Sequence, residues 1–384
     1  MSGYSRDKDL FACMALVKAK GIGPRTRQKI FAQYRSPAQA LENFMNWKED
    51  GLVRKDQLKA FASRSWERET DQAIEFIIRR NLKVIIWSDP EYPERLRHIN
   101  SPPAIMYYRG DTSLLKNHSL SVVGSRKSSR YGLDMARQIC LDISSAGLTI
   151  VSGFAYGIDR QAHLSAVDNP GGTIAVLGTG IDLIYPAMNK DLWAKIVDKG
   201  LILTEFFPGT KPDPGNFPFR NRIISGLSLG VLVVQSAIKS GSMITAKMAL
   251  DQNKEVFAVP GAVNMDNYDG CNQLIRQGAH LVQRADDILE VLAPMIKISA
   301  LYQGNGGPGE KKVAKLIAPE NLNQDEQEIA DRLACQEQTH IDDLTDKLGW
   351  SSQKVSQMLV LLEIKGLVRR FPGMYYSLTS GYGK

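Results

Sequence analysis

The feature that most constrains the fold is a series of short, continuous apolar runs separated by stretches with helical periodicity, in the middle of this 384-residue chain. Each run is rich in β-branched side chains, which predicts a strand buried on both faces. Such strands joined by helices form a parallel sheet, and right-handed crossovers place helices on both sides of it. We therefore predict a Rossmann-like, doubly wound α/β fold with a mostly parallel sheet for residues 83–295. The runs are residues 120–123, 148–151, 173–177, 201–204, 230–234 and 256–259.

Small residues follow several of these runs at the point where a helical pattern begins. Gly124, Ser125 and Arg126 follow the first run, and Ser152 and Gly153 follow the second. Ligands of open α/β sheets bind in a crevice at the carboxyl ends of the strands, where N–H groups at helix starts favour anions. An arginine there can bind a phosphate through two hydrogen bonds. We expect a phosphate-binding crevice; the alternative for Arg126 is a structural ion pair with a nearby carboxylate.

Two further segments are predicted to line the same crevice. The first combines aromatic rings with guanidinium groups, which suits unpaired nucleic acid because a base stacks on a ring while the cation holds the backbone. The second is a serine- and glycine-rich helix start that follows a lysine. Either segment could instead be purely structural, as a loop anchor or a helix cap. The candidate residues are Phe217, Arg220, Asn221 and Arg222 in the first, and Lys239, Ser240, Gly241 and Ser242 in the second.

The first 82 residues are predicted to form a small helical domain. They carry 16 lysines and arginines against 10 acidic residues, whereas the rest of the chain is nearly balanced. The sequence Gly-Ile-Gly-Pro at 21–24 between two apolar helical patterns is typical of a helix-hairpin-helix, whose free N–H groups can hold one backbone phosphate. Arg25, Arg27 and Lys29 are possible accessory DNA contacts. The alternative is a hairpin that serves only for packing.

The C-terminal part is predicted to be a separate small domain. Residues 296–320 are glycine-rich and predict a linker, and residues 321–384 contain three helical patterns followed by a hairpin around Pro372 and Gly373, the order of a winged helix. The exposed face of the third helix, residues 351–357, is polar with the single cation Lys354. Sequence-specific duplex recognition by this face is therefore not expected, and a protein-contact or accessory role is at least as well supported.

Several function classes lack their motifs. The chain has no Walker A loop, and Leu183 stands where a dinucleotide fingerprint needs its third glycine. Asp159 and His163 are four residues apart on one predicted helix face, but no third ligand has suitable spacing, so no metal is expected. The four cysteines lie far apart, without the spacing of a disulfide framework or a zinc site, and no signal peptide or membrane span is evident. These features predict a cytoplasmic protein. The missing motifs predict that it has no cofactor.

The ordered motifs resemble those of the DprA/Smf family of DNA-processing proteins. The resemblance covers residues 83–290 and rests on Val-Gly-Ser-Arg at 123–126, Ser-Gly-Phe-Ala-Tyr-Gly-Ile-Asp at 152–159, Phe-Pro-Phe-Arg-Asn-Arg at 217–222, Ser-Gly-Ser-Met-Ile-Thr-Ala at 240–246 and Val-Pro-Gly at 259–261. The flanking parts are similar to the family's N-terminal helices, which resemble a sterile alpha motif, and to its C-terminal winged helix.

This resemblance implies a bacterial protein that binds single-stranded DNA in its Rossmann-like domain, forms a homodimer through that domain and loads the RecA recombinase on DNA during natural transformation. It implies no catalytic residue and no cofactor. The DNA contacts implied are Gly124, Ser125, Arg126, Ser152, Gly153, Phe217, Arg220, Asn221, Arg222, Lys239, Ser240, Gly241 and Ser242.

An enzyme that acts on nucleotides is the alternative function, since some Rossmann-like folds are phosphoribohydrolases. Their Pro-Gly-Gly-x-Gly-Thr-x-x-Glu loop is incomplete here, because Pro-Gly-Gly at 170–172 runs directly into a predicted strand without the last glycine and the glutamate.

Overall fold

The computed structural model describes residues 2–303, 324–334, 339–364, 367–371 and 374–378. The chain divides into two compact units, Met1–Leu292 and Ala293–Lys384. The first unit contains both the predicted N-terminal helices and the predicted α/β region. Among the described residues, no helix combines the length and the apolar character that crossing a membrane requires.

Five helices form the N-terminal part of the first unit around a core of large aromatic side chains. Trp47 and Phe61 are fully buried there, with ring centroids 4.7 Å apart. Gly21 has a φ of 84°, which favours glycine and allows the tight turn between the first two helices. The helices are α1 (Ser2–Lys18), α2 (Pro24–Gln33), α3 (Pro37–Glu42), α4 (Lys55–Ala62) and α5 (Glu67–Arg79).

A nine-stranded sheet follows, and the expected mostly parallel arrangement is confirmed. All six predicted runs form strands, and seven strands pair in parallel, while two that precede them add antiparallel at one edge. The strands are β1 (Val84–Ile86), β2 (Ile105–Gly110), β3 (Ser119–Val123), β4 (Thr149–Ser152), β5 (Thr173–Val176), β6 (Leu201–Thr204), β7 (Gly230–Val233), β8 (Glu255–Ala258) and β9 (His280–Leu281).

The order of the strands is β1-β2-β6-β5-β4-β3-β7-β8-β9. From β3 the chain adds strands on one side through β6, and it then returns to place β7 on the other side of β3. The strand order therefore reverses between β3 and β7, and the loops that leave these two strands diverge around an open crevice. This topological switch point is where the predicted glycine- and serine-rich turns meet.

Helices cover both faces of the sheet, as expected for a doubly wound fold. Alternating residues of one strand belong to different cores: Ala175 packs with the N-terminal helices, whereas Ile174 and Val176 pack with helices on the opposite face. The helices of this region are α6 (Glu94–Arg97), α7 (Arg130–Ser145), α8 (Ile158–Ala166), α9 (Lys190–Lys199), α10 (Asn216–Leu227), α11 (Gly241–Asp251), α12 (Asp269–Arg276) and α13 (Ala285–Gln303).

Direct polar contacts hold the N-terminal helices on the sheet. The Arg6 guanidinium donates to both carboxylate oxygens of Asp89 at 2.8 and 2.9 Å. The Gln28 side-chain amide donates to the carbonyl oxygens of Arg97 and Ile99 at 3.0 and 3.1 Å. The helices and the sheet therefore form one unit.

After α13, the described residues of the second unit form three helices and a three-stranded antiparallel sheet, which confirms the predicted winged-helix order. These elements are α14 (Gln324–Leu333), β10 (Thr339–His340), α15 (Ile341–Leu348), α16 (Ser352–Ile364), β11 (Val368–Phe371) and β12 (Tyr375–Leu378), with strand order β10-β12-β11. The first strand was not predicted, because two residues are too few to produce a periodic pattern. The tip of the predicted hairpin, residues 372–373, lies outside the described residues.

Helix α13 continues further than the sequence pattern suggests. It runs through Pro294 to Gln303, so its last turns occupy part of the predicted 296–320 linker. Residues 304–320 of that linker lie outside the described residues. The predicted domain boundaries at residues 82 and 295 stay predictions. In the structure, the first 292 residues form one compact unit.

Candidate nucleic-acid interface

A cavity of about 730 Å³ opens at the carboxyl ends of β3 and β7, at the topological switch point. Its lining comes from the turns after these strands, from the start of α10 and from the loop before α10. Nine of the predicted contact residues line it, and they are Gly124, Ser125, Arg126, Phe217, Arg220, Asn221, Ser240, Gly241 and Ser242.

The turn after β3 forms one wall of the cavity. The backbone N–H of Ser125 donates to the carbonyl of Gln235, the residue shortly after β7, at 2.8 Å. Gly124 is required because a Cβ there would lie 2.6 Å from the Ile158 side chain at the start of α8. Ser129 caps α7 by accepting from the Gly132 N–H. The hydrogen bond of Ser125 and the cap of Ser129 hold the turn in place, while the side chains of Arg126 and Lys127 stay exposed to solvent.

Arg126 is exposed and extends over an aromatic pair. Its guanidinium carbon lies 5.5 Å from the centroid of the Phe217 ring, and the Tyr185 ring lies 5.7 Å from the same ring at an interplanar angle of 35°. Gly178 lies directly against the Phe217 ring. A Cβ at this position would come within 2.7 Å of the ring, so the close contact depends on glycine. We call Arg126, Phe217 and Tyr185 the aromatic column. A flat, cation-flanked ring surface of this kind suits a stacked nucleobase.

The turn after β7 forms the opposite wall, with three linked hydroxyl groups. The hydroxyl of Ser236 lies 2.6 Å from that of Ser240 and 2.9 Å from that of Ser242. Ser240 also caps α11 by accepting from the Met243 N–H. Lys239, just before the cap, is exposed and lies beside the cavity without lining it. Hydroxyl groups, helix N–H groups and a neighbouring ammonium group together favour an anion.

A buried arginine supports the floor. Arg220 is only 4% exposed, and its guanidinium donates to the Gly153 carbonyl at 2.7 Å, to the Val176 carbonyl and to Asn221 Oδ1 at 3.1 Å. Burial lowers the pKa of Arg220 to about 10, an effect that the nearby Asp159 carboxylate opposes. Arg220 therefore stays charged at neutral pH, and its positive charge lies beneath the cavity.

Asp159 belongs to the same floor, where burial raises its pKa and the charge of Arg220 opposes that rise. His163, one helical turn further, is fully buried and its Nδ1 lies 2.7 Å from the Thr173 hydroxyl. Burial lowers the pKa of His163 to about 3, so its imidazole is neutral. Within the described residues, no three His, Cys, Asp or Glu side chains gather in a way that could hold a metal ion.

Three predicted contact residues lie behind the cavity and do not line it. Ser152 is fully buried and donates to the Val122 carbonyl at 2.6 Å, while Gly153 lies against Arg220. Arg222 is 5% exposed and forms a bidentate ion pair with Glu205. The sequence does not predict that these residues are buried. An arginine beside a turn gives the same sequence pattern whether its guanidinium group faces solvent or a buried carboxylate.

The accessory candidates on α2 also include both exposed side chains and one that contacts the protein interior. Arg25 and Lys29 are exposed. Arg27 instead folds back onto its own hairpin, where Nη1 donates weakly to the carbonyls of Leu16 and Ile22 at 3.4 and 3.3 Å.

Sequence reasoning missed several lining residues. Lys127 is a second cation directly after Arg126, and Tyr185 lies between predicted elements without a pattern that assigns it to the site. Asn267 and Pro212 reach the cavity from loops that no local pattern connects to the strands.

Fold and cavity together define a Rossmann-like α/β protein with an anion-binding crevice at its switch point, joined to a winged-helix unit. A family model described as DNA recombination-mediator protein A matches residues 83–293, and one described as the DprA winged helix domain matches residues 315–374. Protein Smf from Synechocystis sp. is 33% identical over an alignment that covers 94% of this chain and 97% of that protein.

Two solved structures have related folds. The X-ray structure of DNA processing protein A from Streptococcus pneumoniae matches with a TM-score of 0.66 at 34% identity, over 73% of this chain and 97% of that chain. DNA processing protein A from Helicobacter pylori, described with a single-stranded DNA binding mode, matches with a TM-score of 0.51 at 29% identity, over 56% of this chain and 97% of that chain. The chain belongs to the DprA/Smf family of DNA-processing proteins.

Proposed function

We propose that this protein binds single-stranded DNA across the crevice at the switch point and delivers it to the RecA recombinase. The aromatic column is the observation that carries the proposal, since it combines an exposed guanidinium group with two neighbouring rings beside two capped helix starts. The single-stranded DNA binding described for the Helicobacter pylori relative supports it.

The column favours unpaired DNA over a duplex. In a duplex both faces of each base are already stacked, so a base can reach Phe217 only after it has been extruded at a cost of a few kcal/mol. An unpaired base stacks without that cost, and stacking on an aromatic side chain contributes about 1–3 kcal/mol per base. Sequence preference is expected to be weak, because every base has a flat face.

We assign two different roles to the predicted contact residues. The exposed or lining groups contact DNA directly: the backbone and hydroxyl of Gly124–Ser125, the guanidinium of Arg126, the ring of Phe217, the amide of Asn221 and the segment 239–242. The other four position these groups, and they are Ser152, Gly153 and Arg222 behind the cavity and Arg220 at its floor. Arg25 and Lys29 are assigned a possible accessory contact to the DNA backbone.

Delivery to RecA, homodimer formation and a cytoplasmic site of action belong to the same proposal. The match to a recombination-mediator family supports the recombinase as partner. Exposed apolar side chains near the β9 edge support self-association of the Rossmann-like unit; Leu250 is 56% exposed and Leu281 is 47% exposed. We assign no catalytic role to any residue, and release of free base from a nucleoside monophosphate would revive the phosphoribohydrolase alternative.

The test is a titration of fluorescently labelled oligonucleotides, single-stranded and duplex, at two salt concentrations. We expect tighter binding of the single strand and weaker binding at the higher salt concentration. Arg126→Ala and Phe217→Leu should each reduce affinity for single strands of any sequence by about tenfold or more. Arg137→Ala, which removes an exposed arginine from α7 outside the cavity, is the matched control.

Equal affinity for single strands and duplex, or equal losses in the control and in Phe217→Leu, would contradict the proposed role of the column. A separate measurement addresses delivery: the rate at which RecA assembles on an oligonucleotide should rise when this protein is added, and Phe217→Leu should remove the increase.

A further inference from the structure

A second group of basic side chains lies at the opposite edge of the sheet from the cavity. It consists of Arg95 on α6, His118 just before β3 and Lys254 just before β8, and we call it the basic edge cluster. Because β3, β7 and β8 are parallel neighbours, the starts of β3 and β8 lie about 10 Å apart. The six residue-to-residue steps from His118 to Gly124 span about 20 Å along the strand, so the cluster is separate from the crevice.

Hydrogen bonding fixes the protonation state of His118. The Arg95 Nη2 lies 2.7 Å from Nδ1 of His118, and a guanidinium group can only donate. Nδ1 is therefore the acceptor and the imidazole is neutral, with its proton on Nε2. Burial and the charge of Arg95 both lower the pKa of His118, in agreement with this state. The imidazole thus offers one N–H donor in addition to the two cations.

The cluster lacks a carboxylate partner. All three side chains are partly buried, and within the parts of the chain that the structure describes, neither Arg95 nor Lys254 forms an ion pair. Arg97, on the same short helix, does pair with Glu94 at 2.9 Å. Burial lowers the pKa of Lys254, and the charge of Arg95 lowers it further. The carboxyl end of α11 places only a partial negative charge near the Lys254 ammonium group.

Partly buried like charges without a counter-ion are costly, and a bound anion removes that cost. We propose that the basic edge cluster is a binding site for a phosphate group. A phosphate accepts hydrogen bonds from an ammonium group, a guanidinium group and an imidazole N–H, which is the set of donors present here. Two sources supply such a phosphate, free inorganic phosphate and the backbone of a nucleic acid, and the chemistry of recognition is the same for both.

The experiment measures the pKa of His118 in the full chain by NMR, with the resonance assigned through His118→Gln. Sodium phosphate is added at a constant ionic strength maintained with sodium chloride. A bound anion favours the protonated imidazole, so we expect the pKa of His118 to rise with phosphate concentration and to saturate. Lys254→Met should weaken the apparent phosphate affinity by about tenfold, through loss of one charge-assisted hydrogen bond.

Lys116→Met is the matched control, since Lys116 is an exposed lysine two residues before His118. It should leave the response unchanged, and Arg95→Gln gives an independent second variant if Lys254→Met does not fold. The same titration with an oligothymidine lacking terminal phosphates identifies the source: a response to the oligonucleotide alone assigns the site to backbone phosphate. No response to either ligand, or an equal response in wild type, Lys254→Met and Lys116→Met, would refute the site. Inorganic phosphate does not require the crevice, so this result is independent of DNA binding there.

Discussion

Replacement of Arg222 tests whether this residue stabilises the fold or contacts DNA. Its side chain is 6% exposed and that of Glu205 is 11% exposed, and Nη2 of the arginine lies 2.6 Å from Oε2 of the glutamate. Nε donates to the Ser101 carbonyl at 2.8 Å, and the guanidinium carbon lies 4.0 Å from the Phe219 ring centroid. Nε and both terminal nitrogens of the guanidinium group therefore have hydrogen-bond partners inside the protein.

Arg222→Met removes the cation and leaves the Glu205 carboxylate buried without its partner. Breaking a buried pair in this way costs about 3–5 kcal/mol, which is a large part of the free energy of unfolding of an ordinary domain. We expect the midpoint of urea denaturation, followed by tryptophan fluorescence, to fall accordingly. Affinity for single-stranded oligonucleotides, measured where the variant is still folded, should change by less than about threefold, because the side chain does not line the cavity.

The double variant Glu205→Leu with Arg222→Met is the control for this reasoning. Removing both charges should recover most of the lost stability, since a buried pair replaced by apolar side chains of similar volume is often neutral or stabilising. An unchanged denaturation midpoint for Arg222→Met together with a tenfold loss of DNA affinity would refute the structural role. It would instead favour the direct contact that the sequence pattern suggests.

Three further outcomes are expected. Gly178→Ala should reduce affinity for single strands by about tenfold with a smaller effect on stability, because the new Cβ would meet the Phe217 ring at 2.7 Å and displace it; binding is measured by fluorescence anisotropy. Ser240→Ala should lower the free energy of unfolding by about 1 kcal/mol through loss of the α11 cap, as measured in urea. His163, with a folded pKa of about 3, should make the protein less stable as the pH falls below about 6.5, by at most about 1.4 kcal/mol per pH unit, and His163→Gln should flatten that dependence in urea titrations at successive pH values.

The sign of the last effect follows from proton binding. Between pH 6.5 and 3 the unfolded chain protonates this imidazole and the folded chain does not, so acidification favours unfolding. A wild-type stability that stays constant in this range would contradict the neutral, buried histidine. Unchanged DNA affinity in Gly178→Ala would show that the ring does not carry the stacking, and unchanged stability in Ser240→Ala would show that the cap is replaced by a neighbouring hydroxyl.

The sequence predicts those features of the fold that depend on local pattern. Buried parallel strands have a continuous apolar signature, and serine directly before a helical pattern indicates a cap, as Ser240 shows at the start of α11. Gly178 gave no comparable signal for its role, because contact with Phe217 depends on how α10 packs over the turn. The strand β9 has only two residues, too few for periodicity.

Burial of individual charges could not be predicted in the same way. Arg126 and Arg220 are both arginines beside glycine-rich or aromatic turns, yet the first is exposed and the second is held by carbonyl groups from residues 153 and 176. Those partners are 67 and 44 positions away in the chain. Which guanidinium group reaches solvent is decided by tertiary packing, so residue type and local pattern do not distinguish the exposed Arg126 from the buried Arg220.

The reversal of strand order between β3 and β7 has a consequence for synthesis on the ribosome. The two walls of the crevice come from turns more than 100 residues apart, at 124–126 and 236–242, and β7 must insert beside β3 before the second wall exists. A nascent chain that has emerged only as far as β6 can pair four of its parallel strands, but it has only one of the two walls of the cavity. The complete cavity therefore forms late in translation, when β7 pairs with β3.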